Sequence, residues 1–225
     1  MNYKKRVWLY AAIVLAILVV DQVVKILVKT NMYIREDIPL IGEWCRLYFI
    51  ENEGFAFGMH FGGTAGKVFL SLFRIAATTL VGWYILRQLK RNGRTSLIGS
   101  LTLIFAGAVG NLIDCCFYGI IFNESYYEPA VLFPPEGGYA PLLQGKVVDM
   151  FYFPLFEFNW PEWMPFIGGE HFLFFSAIFN VADAAITIGA IWLLIVLVFF
   201  SPKKEKEEVD EKNKFLKWLK INLDI

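Results

Sequence analysis

The sequence predicts an all-α membrane protein in which four transmembrane helices carry a small extracytoplasmic β-hairpin or sheet cap and an ordered outer loop. Hydrophobic residues make up 57% of the 225-residue chain, above the roughly 45–50% typical of soluble domains. Charged residues make up only 19%, and they fall in clusters between long apolar stretches. The excess apolar surface is therefore expected to face lipid.

Four stretches are apolar over the roughly 20 residues that a helix needs to cross the hydrocarbon core of a bilayer. They cover residues 7–28, 68–86, 97–117 and 172–200. Basic residues precede the first stretch, as in a secretory signal peptide, but no small-residue cleavage site follows it, which predicts a retained span. We expect a transmembrane domain over residues 1–200, followed by a charged cytoplasmic tail over residues 201–225.

Basic residues in the short connections predict the orientation of the spans. They precede span one, separate spans two and three, and follow span four, at residues 4–6, 87–94 and 203–206. With four spans, all three groups lie on one side, and an excess of Lys and Arg marks the cytoplasmic side. Both termini are then cytoplasmic, and the loops 29–67 and 118–171 lie outside.

The two outer segments differ in character. Residues 46–50 (RLYFI) have strand-like composition and are followed by a glycine-containing turn, which predicts a short hairpin or small sheet. Residues 118–171 are rich in Pro, Gly and aromatic residues, which predicts an ordered loop at the membrane interface. On the other side, residues 214–220 form a basic amphipathic stretch, which predicts a surface helix on anionic lipid.

Several charged or amide side chains fall inside the predicted spans, where each one is costly. Asp21 and Lys25 are four residues apart on one face of span one, and a self-paired helix end accounts for them as well as a functional role does. Asn111 and Asp114 share a face at the end of span three, where small residues favour close helix packing and a polar packing cluster is the alternative. Asp183 has no basic residue within one helical turn, so a purely structural role is the poorer interpretation.

Two carboxylates close together in a partly dry site supply an acid and a base, because one of them keeps its proton. Such a pair can activate water for peptide hydrolysis. Asp149, which follows the outer loop in an apolar stretch, is a further candidate acid, and the residues alone do not choose the pair.

Neither histidine lies in an H-E-x-x-H motif, and no metal or cofactor is predicted. The three cysteines have no C-x-x-C spacing, and zero net charge gives no indication of nucleic-acid binding.

Two other classes of function also use polar residues within a membrane. A small transporter or proton pathway predicts broken helices and internal symmetry, and the sequence has no repeat. A non-catalytic membrane scaffold predicts that the acidic residues are dispensable.

Five short boxes occur in one order along the chain. They are Asp21-Gln22-x-x-Lys25, Asn52-x-Gly54-x-Ala56-Phe57-Gly58, Gly107-Ala108-x-Gly110-Asn111-Leu112-Ile113-Asp114, Val147-Val148-Asp149 and Phe179-Asn180-x-Ala182-Asp183. In these boxes and in their order, the chain resembles the lipoprotein signal peptidases, also called signal peptidase II. Each box is a weak signal alone, but five in order across four spans are a strong one.

The resemblance implies an aspartic endopeptidase of the bacterial inner membrane, with its active site near the outer face. It would cut prolipoprotein signal peptides just before a cysteine that carries a diacylglyceryl group, in contact with membrane lipids. The implied catalytic pair is Asp149 and Asp183. The implied substrate-binding or site-ordering residues are Asp21, Lys25, Asn52, Gly54, Asn111, Asp114, Asn180 and Ala182. The hairpin at 52–58 would form part of a cradle over the substrate, with 118–148 as a flap.

The chain departs from the family pattern at three places. Cys115 stands where the family usually has arginine, so that a basic contact to substrate or lipid is either lost or supplied by another residue such as Lys146. The stretches 120–144 and 159–170 are longer than the usual connections. The resemblance is therefore to a long-loop form of the family.

Overall fold

Four long helices form the body of the molecule in a computed structural model that describes residues 2–53 and 63–200. They are α1 (Tyr3–Asn31), α2 (Gly63–Lys90), α3 (Thr95–Ile113) and, after a short helix α4 (Gly119–Ile121), α5 (Val181–Phe200). All four spans are long and apolar enough to cross a membrane, and the third runs from Thr95 to Ile121 because a π-helical turn (Asp114–Tyr118) joins α3 to α4. Gly54 and the tail 201–225, including the predicted surface helix at 214–220, lie outside the described residues.

The sheet is larger than the predicted cap, so the chain is not strictly all-α. Strands β1 (Asp37–Ile41), β2 (Cys45–Asn52), β3 (Val147–Tyr152) and β6 (Ile178–Phe179) form one antiparallel sheet in that order. A second sheet pairs β4 (Phe156–Asn159) with β5 (His171–Phe174). The predicted strand at 46–50 is confirmed within β2, whereas the loop predicted for 118–171 contains β3 and β4.

The predicted start of span four at residue 172 is wrong. Residues 171–174 and 178–179 are strands, and the helix begins at Val181. An apolar run does not by itself distinguish a strand from a helix. Asn180 ends the run and caps α5, so the sequence did contain the signal for the true start.

The end of the bundle opposite the sheet is closed by α1 and the α2–α3 turn. Arg6 donates hydrogen bonds from Nη1 to Asn92 Oδ1 at 3.3 Å and from Nη2 to the Gly93 carbonyl at 2.7 Å. The N-terminus and the α2–α3 turn therefore lie on the same side. The large sheet lies at the other end of the bundle, where it packs on α1 and the end of α3 around Val28, Met32 and Phe49.

Helices α3 and α5 approach each other closely because α3 has glycine where they meet. A Cβ on Gly107 would clash with the carbonyl oxygen of Ala182 and would come within 2.7 Å of Ile186 Cγ1. A Cβ on Gly110 would lie 2.8 Å from a carboxylate oxygen of Asp21. Small residues at such positions let helices in a membrane pack backbone to backbone. The first turn of α5 is thereby held against the middle of the site described next.

Candidate active site

Asp183 is held at the start of α5 by reciprocal hydrogen bonds with Asn180. The side-chain Oδ1 of Asn180 accepts a hydrogen bond from the backbone N of Asp183 at 2.8 Å. The backbone N of Asn180 in turn donates to Asp183 Oδ2 at 3.4 Å. This is a capping-box arrangement, which satisfies backbone donors at the helix start. It also places Asp183 in the first turn, where the helix dipole favours an anionic side chain.

Asp149 reaches the same place from the sheet. Successive side chains of a strand point to opposite faces. Val148 and Met150 are fully buried in the apolar cluster under the sheet, so Asp149 between them faces the other way. Asn180 Nδ2 donates to Asp149 Oδ1 at 2.6 Å, and the side chain of Asn52 also hydrogen-bonds the Asp149 carboxyl group. Asn180 therefore contacts both candidate catalytic carboxyl groups.

The environment of Asp149 favours its protonated form. Burial, and after it the charge of Asp183, raise the pKa of Asp149 from 3.8 to about 7 against the opposing effects of Lys25 and the two asparagines. Burial and a nearby like charge both disfavour a carboxylate. At neutral pH the two carboxyl groups can thus divide into one acid and one base.

Asn111 links the carboxyl pair to a buried lysine. Its Nδ2 donates to Asp183 Oδ1 at 2.7 Å, while its Oδ1 accepts from Lys25 Nζ at 2.9 Å and from Asn180 Nδ2 at 3.1 Å. These contacts fix which way the Asn111 amide faces, because a lysine can only donate. The amide nitrogen is therefore directed at Asp183.

Asp21, Lys25 and Asp114 form a buried ionic triad behind Asn111. Lys25 Nζ lies 2.9 Å from Asp21 Oδ2 and 2.8 Å from Asp114 Oδ2, and all three side chains are inaccessible to solvent. The backbone N of Ala182 donates to Asp21 Oδ1 at 2.8 Å, and that of Val148 donates to Asp114 Oδ2 at 3.3 Å. The triad therefore joins α1 to α3 and holds the residues that precede Asp183 and Asp149.

Gln22 belongs to this network, although the sequence analysis assigned it no role. Its Nε2 donates to Asp114 Oδ1 at 2.9 Å and to Asp21 Oδ2 at 3.1 Å, and its Oε1 accepts from the Tyr118 hydroxyl at 3.2 Å. The signal was present, since Gln22 lies within the first sequence box.

A second buried cation, Lys29, was also missed. One helical turn beyond Lys25, its Nζ donates to Ser125 Oγ at 2.9 Å and pairs with Glu51. Lys29 and Ser125 are both fully buried. The contacts attach the loop at 125 to β2, beside the strand residue Asn52.

Cys115, at the usual arginine position, has a basic neighbour from another helix. Arg74 of α2 donates from Nη1 to Cys115 Sγ at 2.9 Å. Lys146, the replacement suggested by the sequence, instead lies 3.3 Å from a carboxylate oxygen of Glu51 and 3.3 Å from one of Glu124. Burial lowers the pKa of Lys146, but the charges of these two glutamates outweigh it and raise that pKa above its ordinary value.

The structure brings nine of the ten predicted site residues into one connected network. They are Asp21, Lys25, Asn52, Asn111, Asp114, Asp149, Asn180, Ala182 and Asp183. Gly54 lies outside the described residues. Within residues 2–53 and 63–200, no group of three or more His, Cys, Asp or Glu side chains is arranged to hold a metal ion.

Comparison with known proteins finds relatives along most of the chain. Residues 13–200 match the family model described as signal peptidase (SPase) II. A lipoprotein signal peptidase from Porphyromonas gingivalis (strain ATCC 33277) is 48% identical over 189 residues, which cover 82% of this chain and 80% of that protein. One from Amoebophilus asiaticus (strain 5a2) is 38% identical over 196 residues, covering 86% and 78% respectively.

The fold also resembles that of a bacterial membrane enzyme whose structure was determined by the in meso method at 1.9 Å resolution. The two superpose with a TM-score of 0.55 at 23% sequence identity, over 85% of this chain and 94% of that chain. At this identity the likeness concerns the fold alone.

Proposed function

The chain belongs to the signal peptidase II family, and on that premise we propose that Asp149 and Asp183 are its catalytic pair. Members of this family are lipoprotein signal peptidases, so the chain is an aspartic endopeptidase that removes signal peptides from prolipoproteins. Membership decides against the transporter and scaffold alternatives. Residues 1–200 would form the peptidase unit, with 201–225 as a tail.

The observation that supports this pair is that one residue, Asn180, donates hydrogen bonds to both carboxyl groups. Asn180 donates to Asp149 through its side chain at 2.6 Å and to Asp183 through its backbone at 3.4 Å. Asp149 comes from a strand, and Asp183 comes from a helix and lies 34 residues further along the chain. Such convergence of two acids from distant segments is what water activation needs.

The two acids take different roles in the proposed mechanism. Asp183, which accepts hydrogen bonds from Asn111 and Asn180, is the base that removes a proton from the attacking water. Asp149, whose pKa is raised to about 7, is the acid that protonates the carbonyl oxygen of the scissile bond. Collapse of the resulting tetrahedral diol transfers a proton to the leaving nitrogen and breaks the C–N bond, which regenerates one protonated and one ionised carboxyl group.

The remaining polar residues support the pair without reacting. Asn52, Asn111 and Asn180 hold the carboxyl groups by hydrogen bonds, and the triad of Asp21, Lys25 and Asp114 holds the chain segments that carry them. Ala182 contributes its backbone N–H and a side chain small enough for α3 to approach. We include Gly54 because it belongs to the same sequence box as Asn52.

We propose that the substrate is cut just before a cysteine that carries a diacylglyceryl group. The carboxyl pair lies where β3 and the start of α5 meet, at the sheet end of the spans. A substrate anchored by acyl chains would keep those chains in the bilayer while its peptide bond reaches this level.

The basic residues support an orientation with both termini in the cytoplasm and the sheet on the outer face of the bacterial inner membrane. Arg6, Arg87, Lys90 and Arg94 lie at the end of the bundle that the N-terminus and the α2–α3 turn share. Lys and Arg favour the cytoplasmic side. A membrane-impermeant thiol reagent should therefore label Asp37→Cys in intact spheroplasts but not Asn92→Cys, and the reverse pattern would overturn the orientation.

Cleavage of a purified, diacylglyceryl-modified prolipoprotein by the full-length enzyme in detergent tests the proposed activity. Wild type should release the signal peptide at the lipidated cysteine, as located by mass spectrometry, and should leave an unlipidated substrate intact. Asp149→Asn and Asp183→Asn should each lower kcat by at least about 10²-fold, the usual contribution of an acid or base. Asp37→Asn, which changes an aspartate of the same sheet that pairs with Arg46 at 2.8 Å, is the matched control.

The catalytic pair and the lipid requirement are each contradicted by a different result. Cleavage by either folded Asp→Asn variant at the rate of the Asp37→Asn control would exclude that residue from the pair. Equal cleavage of lipidated and unlipidated substrate would remove the proposed requirement for the diacylglyceryl group and leave the carboxyl pair in place.

A further inference from the structure

The β4–β5 hairpin has one aromatic face and one polar face. Its register pairs Phe156 with Phe174 and Phe158 with Phe172, and alternation along each strand places these rings on one side. Trp160 continues the aromatic face, 4.9 Å from the ring of Phe158. The opposite face carries three polar residues, Glu157, Asn159 and His171, together with Leu173. A hairpin with this pattern is amphipathic.

The aromatic face is left open by the rest of the described chain. Phe156 and Phe174 stack at 4.7 Å between ring centroids, yet they remain 53% and 43% exposed. The two strands pair only with each other in a sheet of their own. A lone two-stranded hairpin is only marginally stable in water. A partner that covers the aromatic face would therefore stabilise the hairpin.

The tip of the hairpin is apolar and strained. Trp163 and Phe166 are 80% and 100% exposed. Phe166 has a φ of 71°, a left-handed conformation that is costly for a bulky side chain. Packing within the molecule does not account for a phenylalanine that is fully exposed on a strained backbone, and such outliers point to a functional contact.

The base of the hairpin lies at the level where α5 begins. Phe175 follows directly after β5, and its ring lies 5.9 Å from that of Phe179, two residues before α5. The aromatic face therefore starts beside the end of a helix long and apolar enough to span the membrane, whose outward side chains such as Ile188 and Ile191 are exposed. Lipid at the membrane surface is the nearest apolar partner available to it.

We propose that the β4–β5 hairpin is an interfacial membrane anchor that lays its aromatic face and its tip into the headgroup region of the bilayer. Aromatic side chains favour this depth, and an amphipathic element there buries its apolar face below the headgroups. The polar face then meets water, with His171 Nε2 3.5 Å from Glu157 and His171 Nδ1 3.1 Å from Asn159 Oδ1. This anchor needs only a multi-pass membrane protein and is independent of the catalytic assignment.

Fluorescence quenching of the full chain in lipid nanodiscs that hold one copy each tests the anchor. The probe is a thiol-reactive, environment-sensitive fluorophore at Phe166→Cys, and the matched control carries it at Glu157→Cys on the polar face. The native cysteines Cys45, Cys115 and Cys116 are buried, and labelled wild type measures their background. Lipid with a nitroxide near the headgroup end of its acyl chain quenches from the bilayer, and iodide quenches from water.

The anchor predicts severalfold stronger lipid quenching and weaker iodide quenching at position 166 than at position 157. Changing Phe156 and Phe174 together to serine should abolish the lipid quenching at position 166, whereas changing both to leucine should preserve it. Equal iodide quenching at both positions would overturn the proposal, because the tip would then lie in water. Shielding of position 166 from both quenchers would also overturn it, because in a single-copy disc the tip would be folded onto the protein.

Discussion

Replacing Gly107 by alanine is expected to impair catalysis by moving the helix that carries Asp183. Gly107 lies on α3 against the first turn of α5, where an added Cβ would clash with the carbonyl oxygen of Ala182. The neighbour is backbone, so it cannot rotate away as a side chain would. The clash is relieved only if α3 and the start of α5 separate.

The size of the separation follows from the contacts. The added Cβ would lie 2.7 Å from Ile186 Cγ1 and nearer still to the Ala182 oxygen, whereas real Cβ contacts essentially never fall under 3.0 Å. The start of α5 must therefore shift by roughly 1 Å, which is enough to cost about 10²-fold in rate when it misplaces a reacting group. Overpacking of this kind also costs about 1–3 kcal/mol of stability.

Steady-state cleavage of lipidated prolipoprotein, together with thermal unfolding in the same detergent, measures both effects. Gly107→Ala should lower kcat much more than it changes KM. Gly99→Ala is the control on the same helix, because its added Cβ would meet the ring of Trp192 at 2.7 Å and a side chain can move aside. Near-wild-type kcat for Gly107→Ala in a folded protein would refute the account of how α5 is positioned.

Two further predictions concern buried charge and protonation. Lys25→Met leaves two buried carboxylates without their cation and should lower the free energy of unfolding by about 3–5 kcal/mol. Lys29→Met should lower it less, because Glu51 keeps another lysine 3.3 Å away. Equal losses of unfolding free energy for the two variants in denaturant titrations would contradict this. Activity should fall as pH rises through about 7, where Asp149 loses its proton, and a rate that keeps rising in the alkaline range would exclude it as the acid. Because the pKa of Asp149 in the folded state is raised from 3.8 to about 7, the stability that this proton contributes is fully present below about pH 4 and is lost as pH rises from there through about 7.

The four spans were predictable because an unbroken apolar stretch of about 20 residues has few other structures open to it. The boundary of the fourth was not, since the apolar residues before Asn180 form short strands and hydrophobicity alone does not separate the two. The capping pattern Asn180-x-x-Asp183 was the better guide to where α5 starts. Local hydrogen bonding thus located the boundary that hydropathy missed.

The site was predictable as a set of residues but not as a set of contacts. Spacing predicted the pair of Asp21 with Lys25, which are one helical turn apart. Nothing in the spacing indicated that Lys25 also bridges to Asp114, because that contact joins two helices distant in sequence. The same holds for Arg74, which interacts with Cys115 from a helix that the sequence analysis did not connect with it.

For the aromatic-rich outer segment 118–171, the composition was likewise informative but the contacts were not predictable. Its Pro, Gly and aromatic content predicted an interfacial segment, and this remains a prediction. Its register, which sorts the aromatic rings to one face of a hairpin, depends on strand pairing across a tip of eleven residues. Composition alone does not specify that pairing.

Single-turnover cleavage by Asp149→Asn, Asp183→Asn and the double variant tests most directly whether the two acids act as one unit. Residues that work together in one step have non-additive effects, so the double variant should be about as slow as either single variant. If the double variant were slower than wild type by the product of the two single-variant factors, the two carboxyl groups would act separately. That result would contradict the catalytic pair even if each single variant were impaired.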